Sequence, residues 1–265
     1  MELFKIVCKI EFMNQDVYNL LKKLKLSYGV TSLKAEFEAE GASFEDVLLL
    51  KQYCDFVGLD LTLKIGGCEA VRDIKDAKLI GVNNIVAPMI ETPFALKKFV
   101  NAINNIYDIP PKLFINIESC TAVRNFNEIV NSKEFAQITG VVIGRSDLLK
   151  SYEFDDFNSI FGITKKIVEK TISCGKNIII GGNICPNSVD FLLNIENLPA
   201  FETRKVVFDM SIMRNPSDLK KAISEALSFE ILLLENKLKT SDIKYTMDIE
   251  RLSALKKRLN SYSII

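Results

Sequence analysis

A short β-rich run followed by a longer helical run recurs along the chain, and this beat limits the fold more than any single motif. The strand-like runs are LFKIVCKI (3–10), TSLKAEF (31–37), DLTLKI (60–65), NNIVAP (83–88), KLFINIE (112–118), TGVVIG (139–144), NIIIGG (177–182) and RKVVFD (204–209). Helical periodicity fills the intervals between them. Ser43-Phe44-Glu45-Asp46 is a capping-box pattern, and Thr92-Pro93 and Asn215-Pro216 each place a cap before a first-turn proline. Gly58, Gly81 and Gly175 stand where helices should stop. Eight such beats predict an α/β fold, the parallel (β/α)8 TIM barrel. The rival is an open doubly wound sheet, but Gly66-Gly67 lacks the third glycine and the spacing of a dinucleotide fingerprint.

A chain of 265 residues suits a single barrel domain spanning 1–265, with 235–265 as a helical extension beyond the last strand. In that extension Leu252, Leu255 and Leu259 recur at helical spacing. They suit an interface helix or a helix packed on the underside of its own barrel. The balance of 34 basic and 34 acidic side chains argues against nucleic acid as a partner. No apolar run approaches 18 residues, so no membrane span is expected. Charges at Glu2, Lys5, Lys9 and Glu11 break any secretory apolar core, and the six cysteines form no CxxC pair. Both features predict a cytoplasmic protein with reduced thiols. The histidine count is zero, which removes imidazole as base, nucleophile partner or metal ligand.

In a barrel of this kind the chemistry sits where strands end. The exits offer Glu36, Glu38 and Glu40, then Lys64, then Pro88 and Glu91, then Glu118, then Arg145 and Asp147, and finally Asp209 and Ser211. Side chains alternate along a strand, so Ser32, Lys34 and Glu36 share a face, as do Thr62 with Lys64, and Phe114 with Asn116 and Glu118. These polar sets are expected to face the barrel axis, leaving Leu33, Leu63, Ile115 and Ile117 under the helices. Taken singly, Glu118 and Asp147 read as well as carboxylates at helix N-termini, and Lys34 as one half of a structural ion pair. Glu69 and Glu91 are assigned to capping, and Cys68 and Cys120 have no histidine to activate them. Taken together, Glu118 and Asp147 from adjacent strand ends can each give an oxygen to Mg²⁺ or Mn²⁺. An ion so held would polarise a 2-oxo acid and stabilise its enolate.

The runs LKAEFEAEG, LTLKIGGCEAVRD, IVAPMIETPFALKKFV, FINIESCTAVRNFNEI and GVVIGRSDLLKS occur in order between residues 30 and about 225. This pattern resembles the HpcH/HpaI aldolase and citrate lyase beta-subunit family of the phosphoenolpyruvate/pyruvate barrel superfamily. The resemblance implies that Glu118 and Asp147 bind the metal, that Asn116 lies beside them, and that Lys64 takes the place of a carboxylate-gripping arginine. It also implies a trimer or hexamer. Three features depart from the family: EFEAEG replaces a stretch that carries a histidine, INNIYDIPPK replaces a glycine-arginine-glycine loop, and Arg145 replaces a turn proline. The expectation is therefore a divergent metal-dependent carbon–carbon lyase or aldolase acting on a pyruvate- or oxaloacetate-like oxyacid. Glu36, Glu38 or a metal-bound water would move the proton, Lys64 would be catalytic beside them, and Lys64, Arg145, Asn116 and Pro88 would contact substrate. A Schiff base through Lys34 or Lys64 is a secondary route. The alternatives are a phosphoenolpyruvate-utilising transferase, favoured by Arg145, and a non-catalytic metabolite-binding subunit.

Overall fold

A computed structural model describes residues 14–213, 215–241 and 244–262, so the strand expected at 3–10 lies outside the described residues. Strands β1 (Val30–Glu36), β2 (Asp60–Lys64), β3 (Asn84–Ala87), β4 (Lys112–Ile117), β5 (Gly140–Gly144), β6 (Asn177–Gly181), β7 (Ala200–Glu202) and β8 (Val206–Asp209) close into one barrel in sequence order. The barrel and the helical C-terminal part agree with the sequence reading. The roster of strands does not. Pairs from β1 through β7 are parallel, whereas β8 runs antiparallel to both β7 and β1. Ala200–Glu202 escaped prediction because three residues carry no readable period, and Thr203-Arg204-Lys205 contains no glycine or asparagine to announce a hairpin.

The reversal of β8 moves its end to the underside. Asp209 N–H donates to the carbonyl of Gly29, which precedes β1 (3.0 Å). Asp209 and Ser211 therefore leave the set of mouth residues, and the tip of the β7–β8 hairpin takes their place.

Helices α1 (Gln15–Tyr28), α2 (Phe44–Val57), α3 (Val71–Ile80), α4 (Pro93–Asn104), α5 (Cys120–Arg124), α6 (Phe126–Asn131), α7 (Arg145–Ser151), α8 (Phe161–Ser173) and α9 (Val189–Leu193) surround the barrel. Their ends follow the sequence signals. Ser43 and Asp46 form the capping box of α2, and Thr92 Oγ1 accepts from Ala95 N–H ahead of Pro93. Gly58 and Gly81 terminate α2 and α3 in the left-handed region, at φ 74° and 79°. Strand parity is also as expected. Leu33, Ala35, Leu61, Leu63, Ile115, Ile117, Val141 and Ile143 are buried in the main core with the helices. The opposite faces line the lumen, where Ser32 and Thr62 hydroxyls lie 2.7 Å apart and Asn84 Nδ2 donates to Thr62 (3.0 Å). Val86, Phe114, Val142 and Ile179 form a separate apolar cluster in that lumen. Among the described residues no helix is long and apolar enough to cross a membrane.

Beyond β8, the 25-residue α10 (Pro216–Thr240) buries Leu219, Ala222, Ile223 and Ala226 in the main core. Its second half gives Leu227, Ile231 and Leu234 to a small cluster with Leu252, Leu255, Leu259 and Tyr262 of α11 (Thr246–Tyr262). The leucine stripe is thus covered by its own chain. The covered helix lies at the mouth rather than the underside. Arg251 of α11 donates to Glu40, in the loop after β1 (2.8 Å), and to Glu230 of α10. Arg258 donates to the carbonyl of Ile184, in the loop after β6 (3.1 Å).

Glu40 joins these parts. Its nearly buried carboxylate meets Lys205 and Arg204 of the hairpin, the latter at 3.3 Å, as well as Arg251. Burial opposes its charge, but Lys205 and Arg251 outweigh that and hold its pKa at about 2, against an ordinary value of 4.5. Replacing Glu40 by Gln strands cations that have lost their partner and is expected to cost about 3 kcal/mol in urea denaturation at neutral pH. Because the folded pKa is depressed, this contribution is complete above pH 4.5 and lost as pH falls towards 2, so the wild-type and variant stabilities should converge in that window.

Candidate active site

The inward faces of β1, β2, β4 and β7 bring charged groups into one lumen. Lys34 pairs with Glu202 of β7 and lies 3.2 Å from Glu36. Lys64 lies 2.6 Å from Glu38 and 3.3 Å from Glu118. Two ammonium groups therefore face four carboxylates, Glu36, Glu38, Glu118 and Glu202, which leaves a formal charge of minus two. Glu202 went unnoticed in the sequence because its strand did.

Glu118 follows β4 and is 2% exposed. Its Oε2 accepts from Asn116 Nδ2 (2.5 Å), and its Oε1 accepts from Met89 N–H (3.0 Å). The second bond depends on a turn after β3, where buried Pro88 precedes Met89 at φ 50°, in the left-handed region. Pro88 thus shapes the loop that delivers this N–H. Two glycines make room for the lumen carboxylates: a Cβ on Gly144 would come within 2.7 Å of Glu118 Oε2, and one on Gly181 within 2.7 Å of Glu202 Oε1. Asn116 Oδ1 and Glu202 Oε2 are buried acceptors without a hydrogen bond among the described residues.

Charge states follow from these contacts. Burial raises the pKa of Glu118 against the opposing pull of Lys64 and the Met89 N–H. Burial disfavours the ammonium of Lys34, but Glu202 and Glu36 outweigh it and raise the pKa. Lys64 behaves likewise through Glu118 and Glu38. Glu36 stays below the ordinary carboxylate range because Lys34 overcomes its burial. Glu38 is the least enclosed of the four carboxylates, with its side chain 31% exposed.

The two residues of α7 part company. Arg145 was expected to hold an anion, but its side chain is 1% exposed and turns beneath the β6 exit. It donates to the carbonyls of Gly181 (3.3 Å) and Gly182 (3.0 Å) and to Ser188 Oγ (3.3 Å), with Phe157 and Phe191 rings 4.8 and 4.5 Å away. Burial pushes its pKa down to about 10. Arg145 braces a loop, and nothing in the motif IGRSDL reveals which way the side chain turns. Asp147 is 57% exposed and lies 3.3 Å from Lys150 on its own helix, so the contacts that hold it are separate from those that hold Glu118. Among the described residues no group of three or more His, Cys, Asp or Glu side chains gathers for a metal. The acids assigned to capping have other partners: Glu69 pairs with Lys98 (2.7 Å), and Glu91 accepts from Ser119 Oγ. Cys185, which the sequence did not single out, lies in the loop after β6. Burial raises its pKa, but hydrogen bonds with Tyr262, Ser188 and Arg258 outweigh it and hold the thiol below its ordinary value.

Residues 58–180, a little under half of the chain, match the family model described as HpcH/HpaI aldolase/citrate lyase. The resemblance read from the strand exits holds over that stretch. No curated protein sequence matches the chain. Among solved structures, an HpcH/HpaI aldolase/citrate lyase family protein from Burkholderia cenocepacia J2315 superposes with a TM-score of 0.57 at 12% identity, covering 70% of this chain and 92% of that one. The citrate synthase SbnG gives 0.54 at 12% identity, covering 79% and 96%. An HpcH/HpaI aldolase from Desulfitobacterium hafniense DCB-2 gives 0.52 at 10% identity, covering 67% and 77%. Likeness at these identities establishes the shared barrel.

Arg145→Lys removes the planar fork that spans three acceptors, so it should lower unfolding free energy by about 2 kcal/mol. Urea denaturation followed by circular dichroism reads that loss.

Proposed function

We propose that the barrel carrying this HpcH/HpaI aldolase/citrate lyase stretch is a carbon–carbon lyase or aldolase acting on a pyruvate- or oxaloacetate-like 2-oxo acid. The observation that carries this reading is the buried Glu118 carboxylate at the end of β4, with Asn116 and Lys64 beside it. The donors suit a hard divalent ion. Glu118 and Asp147 are carboxylates, Asn116 Oδ1 is a buried oxygen without a hydrogen bond among the described residues, and the lumen carries an excess of two negative charges. These three residues would hold Mg²⁺ or Mn²⁺, which when bound supplies Lewis-acid polarisation of the oxyacid and stabilisation of enolate charge.

The chain's own groups supply the rest. Lys64, kept charged by Glu38 and Glu118, faces the anionic end of the oxyacid as a point charge. Glu38, partly exposed and 2.6 Å from Lys64, is the carboxylate best placed to take or return a proton at the methyl or methylene carbon. Glu36 sits deeper and keeps Lys34 charged together with Glu202. A Schiff-base route is disfavoured, since the carboxylates raise the pKa of both lumen lysines instead of freeing an amine. The phosphoenolpyruvate-transferase reading loses the support of Arg145, which is committed elsewhere. The covered stripe of α11 also means that a trimer or hexamer, as the resemblance implies, would use another face.

Exchange of solvent deuterium into the methyl group of pyruvate, followed by NMR with Mg²⁺ or Mn²⁺, tests the proposal. Glu118→Gln and Asp147→Asn should each lower that exchange by at least about a hundredfold, in the range typical of a lost catalytic group. Both variants should keep the wild-type circular dichroism spectrum. Wild-type exchange in either variant sinks the assignment, and absence of exchange in the wild type favours a non-catalytic binding subunit.

A further inference from the structure

Lys64 already occupies the position of a counter-ion. Its Nζ lies between Glu38 Oε2 (2.6 Å) and Glu118 Oε2 (3.3 Å), and its side chain is almost fully buried. The register pairs Lys64 with Glu36 on β1 and with Val86 on β3, so the ammonium reaches past an apolar neighbour to a carboxylate beyond β4. The donors at Glu118 besides Lys64 are the Asn116 amide and the Met89 N–H, which are both neutral. Among the described residues, the one formal positive charge on this carboxylate is therefore a flexible side chain, tethered at the same time to the partly exposed Glu38.

We infer that Lys64 competes with the divalent ion for Glu118, and that ion binding releases its ammonium to grip the oxyacid. The inference rests on the metal-dependent reading above. Without the ion, the ammonium offsets part of the negative charge and keeps Glu118 from being buried without a cation. An arriving divalent ion takes over that role, and the displaced ammonium remains near the mouth through Glu38. One side chain thereby weakens metal binding and strengthens oxyacid binding. The two ligands become positively coupled, because the first frees the group that the second needs.

Manganese binding to the full chain, followed by electron paramagnetic resonance, tests this directly. Lys64→Met and the more polar Lys64→Gln should each bind Mn²⁺ about tenfold more tightly than wild type, within the usual range of coupling between sites. Once loaded with Mn²⁺, each should bind oxalate about tenfold more weakly. A readout on the wild-type chain does not depend on variant folding. Acetic anhydride labelling, mapped by mass spectrometry, should rise at Lys64 on adding Mg²⁺ and fall again with oxalate. If wild type binds Mn²⁺ while neither variant binds it more tightly, or if Mg²⁺ leaves the labelling of Lys64 unchanged, the competition is overturned and the metal site stands. If no form binds Mn²⁺, the metal-dependent function fails and takes the competition with it.

Discussion

Four glutamates and two lysines share the interior of a closed barrel, and the cost of keeping those charges away from water governs the rest of the structure. Isolated buried carboxylates would be untenable, so each lysine serves two of them. Lys34 ties β1 to β7, and Lys64 ties β2 to the exits of β1 and β4. The glycines at the ends of β5 and β6 are part of the same solution, since a side chain there would collide with Glu118 or Glu202. Val86, Phe114, Val142 and Ile179 fill another part of the lumen with an apolar cluster.

The absence of histidine sharpens the consequences of this arrangement. Proton movement near neutral pH usually falls to imidazole, but here the paired titratable groups of the lumen are carboxylates and ammonium groups. Glu118 is raised by burial and Glu36 lowered by Lys34, so neighbouring acids of the same type are driven apart.

Sequence periodicity made much of this fold legible. Alternation along β1, β2 and β4 distinguished lumen from core correctly, because a strand has only two faces and one of them lies under helices. Helix ends were legible where a cap or glycine had a local job, as at Ser43, Thr92, Gly58 and Gly81. What escaped depends on distant contacts. Glu202 lies on a three-residue strand with no period of its own. The direction of β8 is decided by pairing with β1 and β7, which the composition of RKVVFD does not encode. Arg145 follows a strand exit, as a ligand-binding residue would, yet its side chain turns beneath a loop lined by Phe157 and Phe191. Local pattern placed these residues near the mouth without specifying which way each one points.

The reversed eighth strand also decides where the last two helices lie. A parallel strand would have left at the mouth, and the next helix would have carried the chain down to the underside. Because β8 ends below, α10 must climb instead, and its 25 residues span about 37 Å at the helical rise, enough to travel the height of a barrel. That ascent delivers α11 to the upper rim, where Arg251 and Arg258 fasten it to loops following β1 and β6. One inverted strand thus exchanges a basal tail for a helical parapet beside the opening.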